Sequence, residues 1–575
     1  MSPMRIAPSL ALALAGLNFL SPLPAATVVN ELRAAARPGQ IVLTWREAAT
    51  PAGTTFNVYV SATPIRDLAT ATRTGHHVER QSATDWWETK SAFTKQAKDE
   101  KIVGYRLGPD STRLDPAGGL FVHTVRAGST RPLFFAVTFT DPDGREDTAL
   151  VSGANSLAQG ITPAPGPVEP NWQGQGAMPP VGAGAGMPLS LSLHGKSGVV
   201  AESEYLAFGD ATMGWRDGLP FKFSVRIQDN EVVIRPTDRT WIGRPHDEAS
   251  DGGAPAIWTF WYGYNSNIYD RALMPQGTPT NYTERRLLWI LDWVQRHYQT
   301  DRNRWYCSGT SMGGCGTISF GLRHPELFAA LHARVPIVAY TYAGAGSARR
   351  LEPAAWVGKI GPEVRDSDGV PLLERMNGTK FVAEAKVDLP FLFLTNGRQD
   401  DSIPWANNPP FYRALDAARQ GYAAYWDNGI HSTSGKDAPD DVKAWPNAMR
   451  RFRLDESFPA FSRTSVNRNF GAGDPADGDL VGWLNRGMDW TDIEDTADRY
   501  AITLRADFPG IAYPVRTDVT LRRLQRFKPA PGERVRAELP GQSPTTITVD
   551  PQARLTIPAI TIPDRNGVRL ILRRD

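Results

Sequence analysis

The sequence predicts an α/β core, a mostly parallel sheet with helices on both faces, set between two β-sandwich ends. Three observations carry this. Residues 188–450 alternate short apolar runs with helical periodicity, which implies a parallel sheet covered on both sides. Within that stretch Gly309-Thr310-Ser311-Met312-Gly313 joins a strand-like run to a helix-like one. Residues 27–155 and 451–575 are short alternating strands between turn residues, the pattern of sandwiches.

Composition narrows the classes. The chain has 575 residues, 41% of them hydrophobic and 22% charged, a globular balance. The 63 basic and 61 acidic side chains nearly cancel, so no basic excess points to nucleic acid. Residues 1–26 read as a secretory signal: Arg5 leads, 10–20 is apolar, and Leu23-Pro24-Ala25-Ala26 offers small residues for cleavage. The apolar run is short for a span, and no later stretch reaches the ~18 residues a spanning helix needs. The expectation is a secreted or periplasmic protein with no membrane contact after cleavage.

Taken in order, residues 27–155 open with Ile41-Val42-Leu43-Thr44-Trp45, which alternates at the strand period with Trp45 facing inward. Phe56-Asn57-Val58-Tyr59-Val60, 121–124 and Phe134-Phe135-Ala136-Val137-Thr138 follow. Asp141-Pro142-Asp143-Gly144 is a turn, because proline presets φ and glycine tolerates positive φ. The charged stretch 85–101 reads as an inserted loop anchored by Trp86 and Trp87. Residues 156–187 are Pro/Gly-rich and read as a linker. In the core, 189–193 is a strand running into His194-Gly195-Lys196-Ser197-Gly198, and 231–235 is another. Residues 282–298 place Leu287, Leu288, Ile290, Leu291 and Val294 on one helical face. The spacing predicts a further helix over 313–322, apolar strands at 335–338 and 389–394, a helix over 411–420 and a strand over 422–426. Residues 501–504, 519–521, 545–549 and 568–572 are the strands of the last sandwich.

Gly-x-Ser-x-Gly between strand and helix holds a serine in strained backbone, with its Oγ raised above the sheet. Ser311 is the candidate nucleophile. The N–H of Met312 then points where an oxyanion forms. A serine needs a base, normally an oriented histidine. Of nine histidines only His431 follows the candidate acids. Asp400 lies in the loop after an apolar strand, at the sheet edge where such folds do chemistry; Asp401 is the alternative. The second oxyanion donor is expected in 194–198, at the Lys196 N–H or, failing that, at Ser197. Cys307 and Cys315 flank Ser311 at four residues each. A strand and a helix packed on it lie about 10 Å apart, and a disulfide wants Cα atoms within about 7 Å, so both read as buried free thiols. No His-x-x-x-His or paired cysteines suggest a metal, and no cofactor is expected.

The motifs LHGKSG (193–198), TDRNRWYCSGTSMGG (300–314), RHPELFAA (323–330), NGRQDDSIPW (396–405) and GIHS (429–432) make residues 188–450 resemble an α/β-hydrolase of the secreted esterase and polyhydroxyalkanoate-depolymerase kind. That group includes feruloyl and acetyl-xylan esterases. The pattern of Trp45, Tyr59 and 134–137 resembles a fibronectin type III domain. By position the resemblance implies Ser311 as nucleophile, Asp400 as carboxylate and His431 as base. It implies a serine ester hydrolase, with an acetylated or feruloylated plant polysaccharide as the expected substrate. A prolyl-oligopeptidase-type peptidase and a polyester depolymerase are the rivals. Lys196 stands where many members carry cysteine or glutamine, and 201–280 is longer and more aromatic than a minimal core. Of its rings Trp261, and beyond it Trp405, are expected to line the substrate cleft by stacking.

Overall fold

The computed structural model describes residues 28–85, 103–107, 112–126, 128–174, 176–193, 203–214, 220–241, 256–268, 273–340 and 364–574. The signal-like residues 1–26 and the Trp86–Trp87 pair lie outside them.

A ten-stranded sheet organises the chain. Its strands are β1 (Asn171–Trp172), β2 (Leu189–Leu193), β3 (Glu204–Ala207), β4 (Phe221–Gln228), β5 (Glu231–Pro236), β6 (Trp305–Thr310), β7 (Ala330–Arg334), β8 (Phe391–Gly397), β9 (Tyr422–Asp427) and β10 (Gly482–Leu484). They lie in the order β10-β9-β8-β7-β6-β2-β5-β4-β3-β1. The six from β9 to β5 are parallel, and the flanking pairs are antiparallel. All seven residues of β8 are buried, as a strand covered on both faces requires. The chain enters this sheet at its edge, in β1, and crosses to its middle in β2. It then runs out to β3 and returns through the β4–β5 hairpin to lie beside β2.

Three helices fix the site. Helix α1 (Tyr282–Tyr298) buries Leu287, Ile290, Leu291 and Val294 on the expected face and ends with Gln299 at φ 58. Helix α2 (Met312–Arg323) follows β6 directly. Helix α3 (Asn408–Ala417) starts three residues before the expected 411, because Pro409 and Pro410 suit its first turn. It ends near Ala418, and Arg419 adopts φ 54. The strand expected at 335–338 is Ala330–Arg334 instead. Val335 leaves the extended region at φ 43, so the sheet takes the more polar Ala-Leu-His-Ala-Arg run.

The two ends are strand-rich. In residues 29–147 a three-stranded and a four-stranded antiparallel sheet share one apolar cluster holding Trp45, Phe56, Val58, Phe121, Phe135 and Val137. Trp45 is 3% exposed and meets Phe56 edge-on. The C-terminal residues form a three-stranded and a five-stranded sheet over a second cluster. That cluster also takes in Tyr306, Phe391 and Phe393 from the central sheet. The Pro/Gly segment 156–187 is laid on the core: β1 comes from it, and Gly182, Gly184 and Gly186 donate to the carbonyls of His297, Tyr298 and Gln299 at the end of α1.

Candidate active site

Strand β6 runs to Thr310, Ser311 turns the chain at φ 56 and ψ −120, and α2 begins at Met312. A non-glycine residue at positive φ is held there by its surroundings. Four contacts hold this one. Gly309 gives Gly313 the space it needs, since a Cβ on Gly309 would lie 2.3 Å from the Gly313 carbonyl. The Ser311 N–H donates to the Arg334 carbonyl at 2.9 Å, and the Ser311 carbonyl accepts from Cys315 N–H at 2.8 Å. Gly314 sits under Arg334, where a Cβ would be 2.7 Å from its carbonyl oxygen.

The acid and base come from the loops after β8 and β9, with β7 lying between them and β6. Asp400, past the end of β8, is 7% exposed. Its Oδ1 accepts from the N–H groups of Ser402 and Ile403 at 2.9 and 2.8 Å. Its Oδ2 lies 2.7 Å from His431 Nδ1. His431 Nε2 lies 2.7 Å from Ser311 Oγ. Serine, imidazole and carboxylate therefore form one hydrogen-bonded line at the end of four adjacent parallel strands, β6 to β9. Asp401 is exposed and, among the described residues, accepts only from the Ser402 hydroxyl, which leaves Asp400 as the carboxylate on His431.

The histidine loop is pinned by residues that the sequence did not single out. Asp427, last in β9, accepts from Gly429 N–H at 2.9 Å through Oδ1 and from Gly435 N–H at 2.7 Å through Oδ2. Gln399 N–H donates to the Gly429 carbonyl at 3.1 Å. The Arg334 side chain donates to the Ser434 carbonyl through Nε, at 2.8 Å, and through Nη2. Beside the acid loop, the fully buried Arg398 guanidinium donates to the carbonyls of Asp474, Pro475, Asp477 and Asp479. Glycines around Asp427 were the available sequence signal for the first of these clamps; none pointed to Arg334 or Arg398.

Met312 opens α2, so its N–H has no helical acceptor, and among the described residues it has no other. It is the backbone donor nearest the serine in the chain. Lys196 and Ser197 lie outside the described residues. Trp261 and Trp405, expected to line the cleft, are 0% and 1% exposed and belong to the main apolar core. Trp405 packs on Trp426 and Tyr412, with Arg398 over its ring at 4.8 Å. Trp261 packs against Gly316 of α2, where a Cβ would lie 2.4 Å from the indole. Both rings are scaffold and present no face to a substrate. Trp261 is set by Asp238, whose carboxylate accepts from the N–H groups of Thr259, Phe260 and Trp261. Burial pushes the Asp238 carboxyl up to about 6 against those bonds. Phe260 and Trp261 both hold positive φ, 53 and 58. Met312, next to the serine, packs against an apolar cluster that holds Phe260, Cys315, Ile337, Tyr340 and Ile403.

Both cysteines are free and buried. Burial pushes each thiol up to about 12, so neither supplies a thiolate near neutral pH. Among the described residues no group of three or more histidine, cysteine, aspartate or glutamate side chains is placed to hold a metal. No helix among them is long and apolar enough to cross a membrane.

No curated protein matches the chain. Among solved structures, the chain is similar to an S-formylglutathione hydrolase from Agrobacterium tumefaciens, with 16% identity over 57% of this chain and 92% of that one, at a TM-score of 0.30. It is similar to the fluorophosphonate-binding serine hydrolase FphF of Staphylococcus aureus, with 16% identity over 46% and 82% and a TM-score of 0.27. With the Pyrococcus horikoshii acylaminoacyl peptidase it shares 12% identity over 73% of this chain and 62% of that chain, at a TM-score of 0.31. Residues 282–436 match the sequence model of the Prolyl oligopeptidase family. That stretch contains Ser311, Asp400 and His431 together, and the match supports a serine hydrolase.

Proposed function

We propose that this chain is an exported serine hydrolase that cleaves carboxylic esters through an acyl-enzyme, with acetylated or feruloylated plant polysaccharide as its substrate. The observation that carries the ester-hydrolase reading is the pair of 2.7 Å contacts that join Ser311 Oγ to His431 and His431 to Asp400 at a strained elbow. His431 Nε2 takes the serine proton as Oγ attacks the acyl carbon. Asp400 holds Nδ1–H, so the other nitrogen is the free base, and it stabilises the imidazolium that forms. The N–H groups of Met312 and Lys196 receive the oxyanion. The imidazolium then protonates the departing alcohol. In the second half His431 takes a proton from water as the water oxygen attacks the acyl carbon; the intermediate then collapses, the imidazolium returns that proton to the departing Ser311 Oγ, and the acid is released. Export rests on the signal-like residues 1–26. The polysaccharide rests on the β-rich ends and the resemblance to secreted esterases.

Ser311→Ala is expected to lower kcat on p-nitrophenyl acetate by roughly 10⁴–10⁶-fold with the fold intact. Turnover near wild type in a correctly folded variant ends the proposal. The match to the Prolyl oligopeptidase family favours a second reading, a secreted peptidase with the same residues. Side-by-side kcat/KM on acetylated xylan, a feruloyl ester and a peptide anilide separates the two. A higher value on the anilide reverses the preference.

A further inference from the structure

We propose that Arg334 is a positioning residue that sets the distance between nucleophile and base; the proposal rests on the serine-hydrolase reading above. The two reacting groups stand on different supports. Ser311 is fixed by the turn between β6 and α2, whereas His431 sits in a loop beyond β9, 24% exposed at its side chain. Asp427 secures that loop only to its own strand. Arg334 reaches both supports with one residue. Its carbonyl accepts the Ser311 N–H at 2.9 Å. Its guanidinium forks onto the carbonyl of Ser434, three residues past the base. Ser434 is fully buried, and its N–H closes a turn on the Ile430 carbonyl at 2.9 Å, so the grip on Ser434 passes to His431 through one tight turn.

The backbone at this point is held out of its ordinary range. Val335, directly after Arg334, is a β-branched residue at φ 43, 1% exposed, and its N–H donates to the Thr395 carbonyl at 2.7 Å. For such a side chain that conformation is an outlier that persists only where the surroundings impose it. The same region is built to close tolerances: a Cβ on Gly314 would be 2.7 Å from the Arg334 carbonyl, and one on Gly435 would be 2.8 Å from Thr395. A planar fork that delivers two N–H groups to one oxygen is a geometry that arginine provides and lysine does not.

The test compares Arg334→Met and Arg334→Lys with wild type and Ser311→Ala on p-nitrophenyl acetate. Active sites are titrated with a fluorophosphonate and melting temperatures are recorded. In Arg334→Met, kcat per titrated site is expected to fall about 100-fold, the effect of displacing a reacting group by around 1 Å, with KM within about threefold of wild type. A residue that merely stabilised the fold would lower the number of titratable sites and leave kcat per site unchanged. Arg334→Lys keeps the charge and loses the fork; it is expected about tenfold below wild type per site, so it reads the geometry even where Arg334→Met does not fold. Wild-type kcat per site in either folded variant overturns the proposal. If Ser311→Ala is inactive in that same experiment, the hydrolase reading survives and only the role of Arg334 falls. If Ser311→Ala turns over like wild type, the hydrolase reading falls first and takes this inference with it.

Discussion

Gly309 is needed for space: a Cβ there would stand 2.3 Å from both the carbonyl carbon and oxygen of Gly313. Those atoms are backbone and cannot swing aside, so an added methyl must push the first turn of α2 away from β6. We expect Gly309→Ala to lower kcat by about 100-fold or more and to slow fluorophosphonate labelling in parallel, measured on protein whose far-ultraviolet circular dichroism is unchanged. Wild-type labelling by a folded variant would mean that the elbow does not depend on this contact. The line of Ser311, His431 and Asp400 was legible in the sequence for the same local reason. An elbow serine must carry small neighbours, and only one histidine follows the acid. The aromatic assignments failed because a ring at a strand end reads alike whether it faces a cleft or the core. Trp405 turned inward onto Trp426, and Trp261 was drawn onto Gly316 by the Asp238 cradle. Arg334 was illegible because its partner is a backbone carbonyl 100 positions away, and a carbonyl leaves no mark in the residue types.

Helices α1 and α2 meet through Glu284 and Arg323, and this contact has a defined pH signature. Arg323 donates to Glu284 Oε2 through Nε at 2.7 Å and through Nη2, and His324 Nε2 lies 3.2 Å from Oε1. Burial works to raise the Glu284 carboxyl, yet Arg323 and His324 outweigh it and hold it at about 2, against 4.5 in a free chain. The folded value lies below the unfolded one. The stabilisation is therefore complete above about 4.5 and is lost as the pH falls towards 2. Glu284→Gln is expected to cost roughly 3 kcal/mol at pH 7 and to flatten the decline of stability between those two values. Urea unfolding at several pH values measures it; an unchanged slope in the variant would sink the assignment. Elements were readable where their period was strong. The face of α1 appeared in the spacing of Leu287, Ile290, Leu291 and Val294. Strand β7 escaped because Ala-Leu-His-Ala-Arg lacks an apolar run, and it is a strand by virtue of lying between β6 and β8. Tertiary position outweighed propensity there.

Across the whole molecule the two β-rich ends attach differently, and the difference makes a prediction. The N-terminal end meets the core through a small apolar cluster, in which Leu206 and Phe208 contact Val42, Leu120 and Val122. It also meets it through the buried Lys222, which bonds Asp85 at 2.7 Å and Glu204 at 2.8 Å. Glu204 belongs to the core itself, so Lys222 keeps a partner without that end. The C-terminal end is woven in. Its β10 pairs with β9, its cluster covers Tyr306, Phe391 and Phe393, and Arg523 donates to the carbonyls of Phe328 and Ala329, each at 2.9 Å. The four carbonyls that satisfy Arg398 all lie in 474–479. Ending the chain at 456 removes them, strips the Arg398 guanidinium of these four acceptors two residues from Asp400, and uncovers a wide apolar face. The sequence placed a boundary at 450 because strand character resumes there, but a boundary drawn from local pattern does not show which side chains cross it. Deleting 28–168 is expected to leave a soluble enzyme with a lowered melting temperature, whereas deleting 457–575 is expected to give aggregated, unlabelled protein. Size-exclusion profiles and fluorophosphonate labelling of the two truncations read the outcome. A monomeric, fully labelled fragment ending at 456 would show that the C-terminal sheets are an accessory to a core that closes without them.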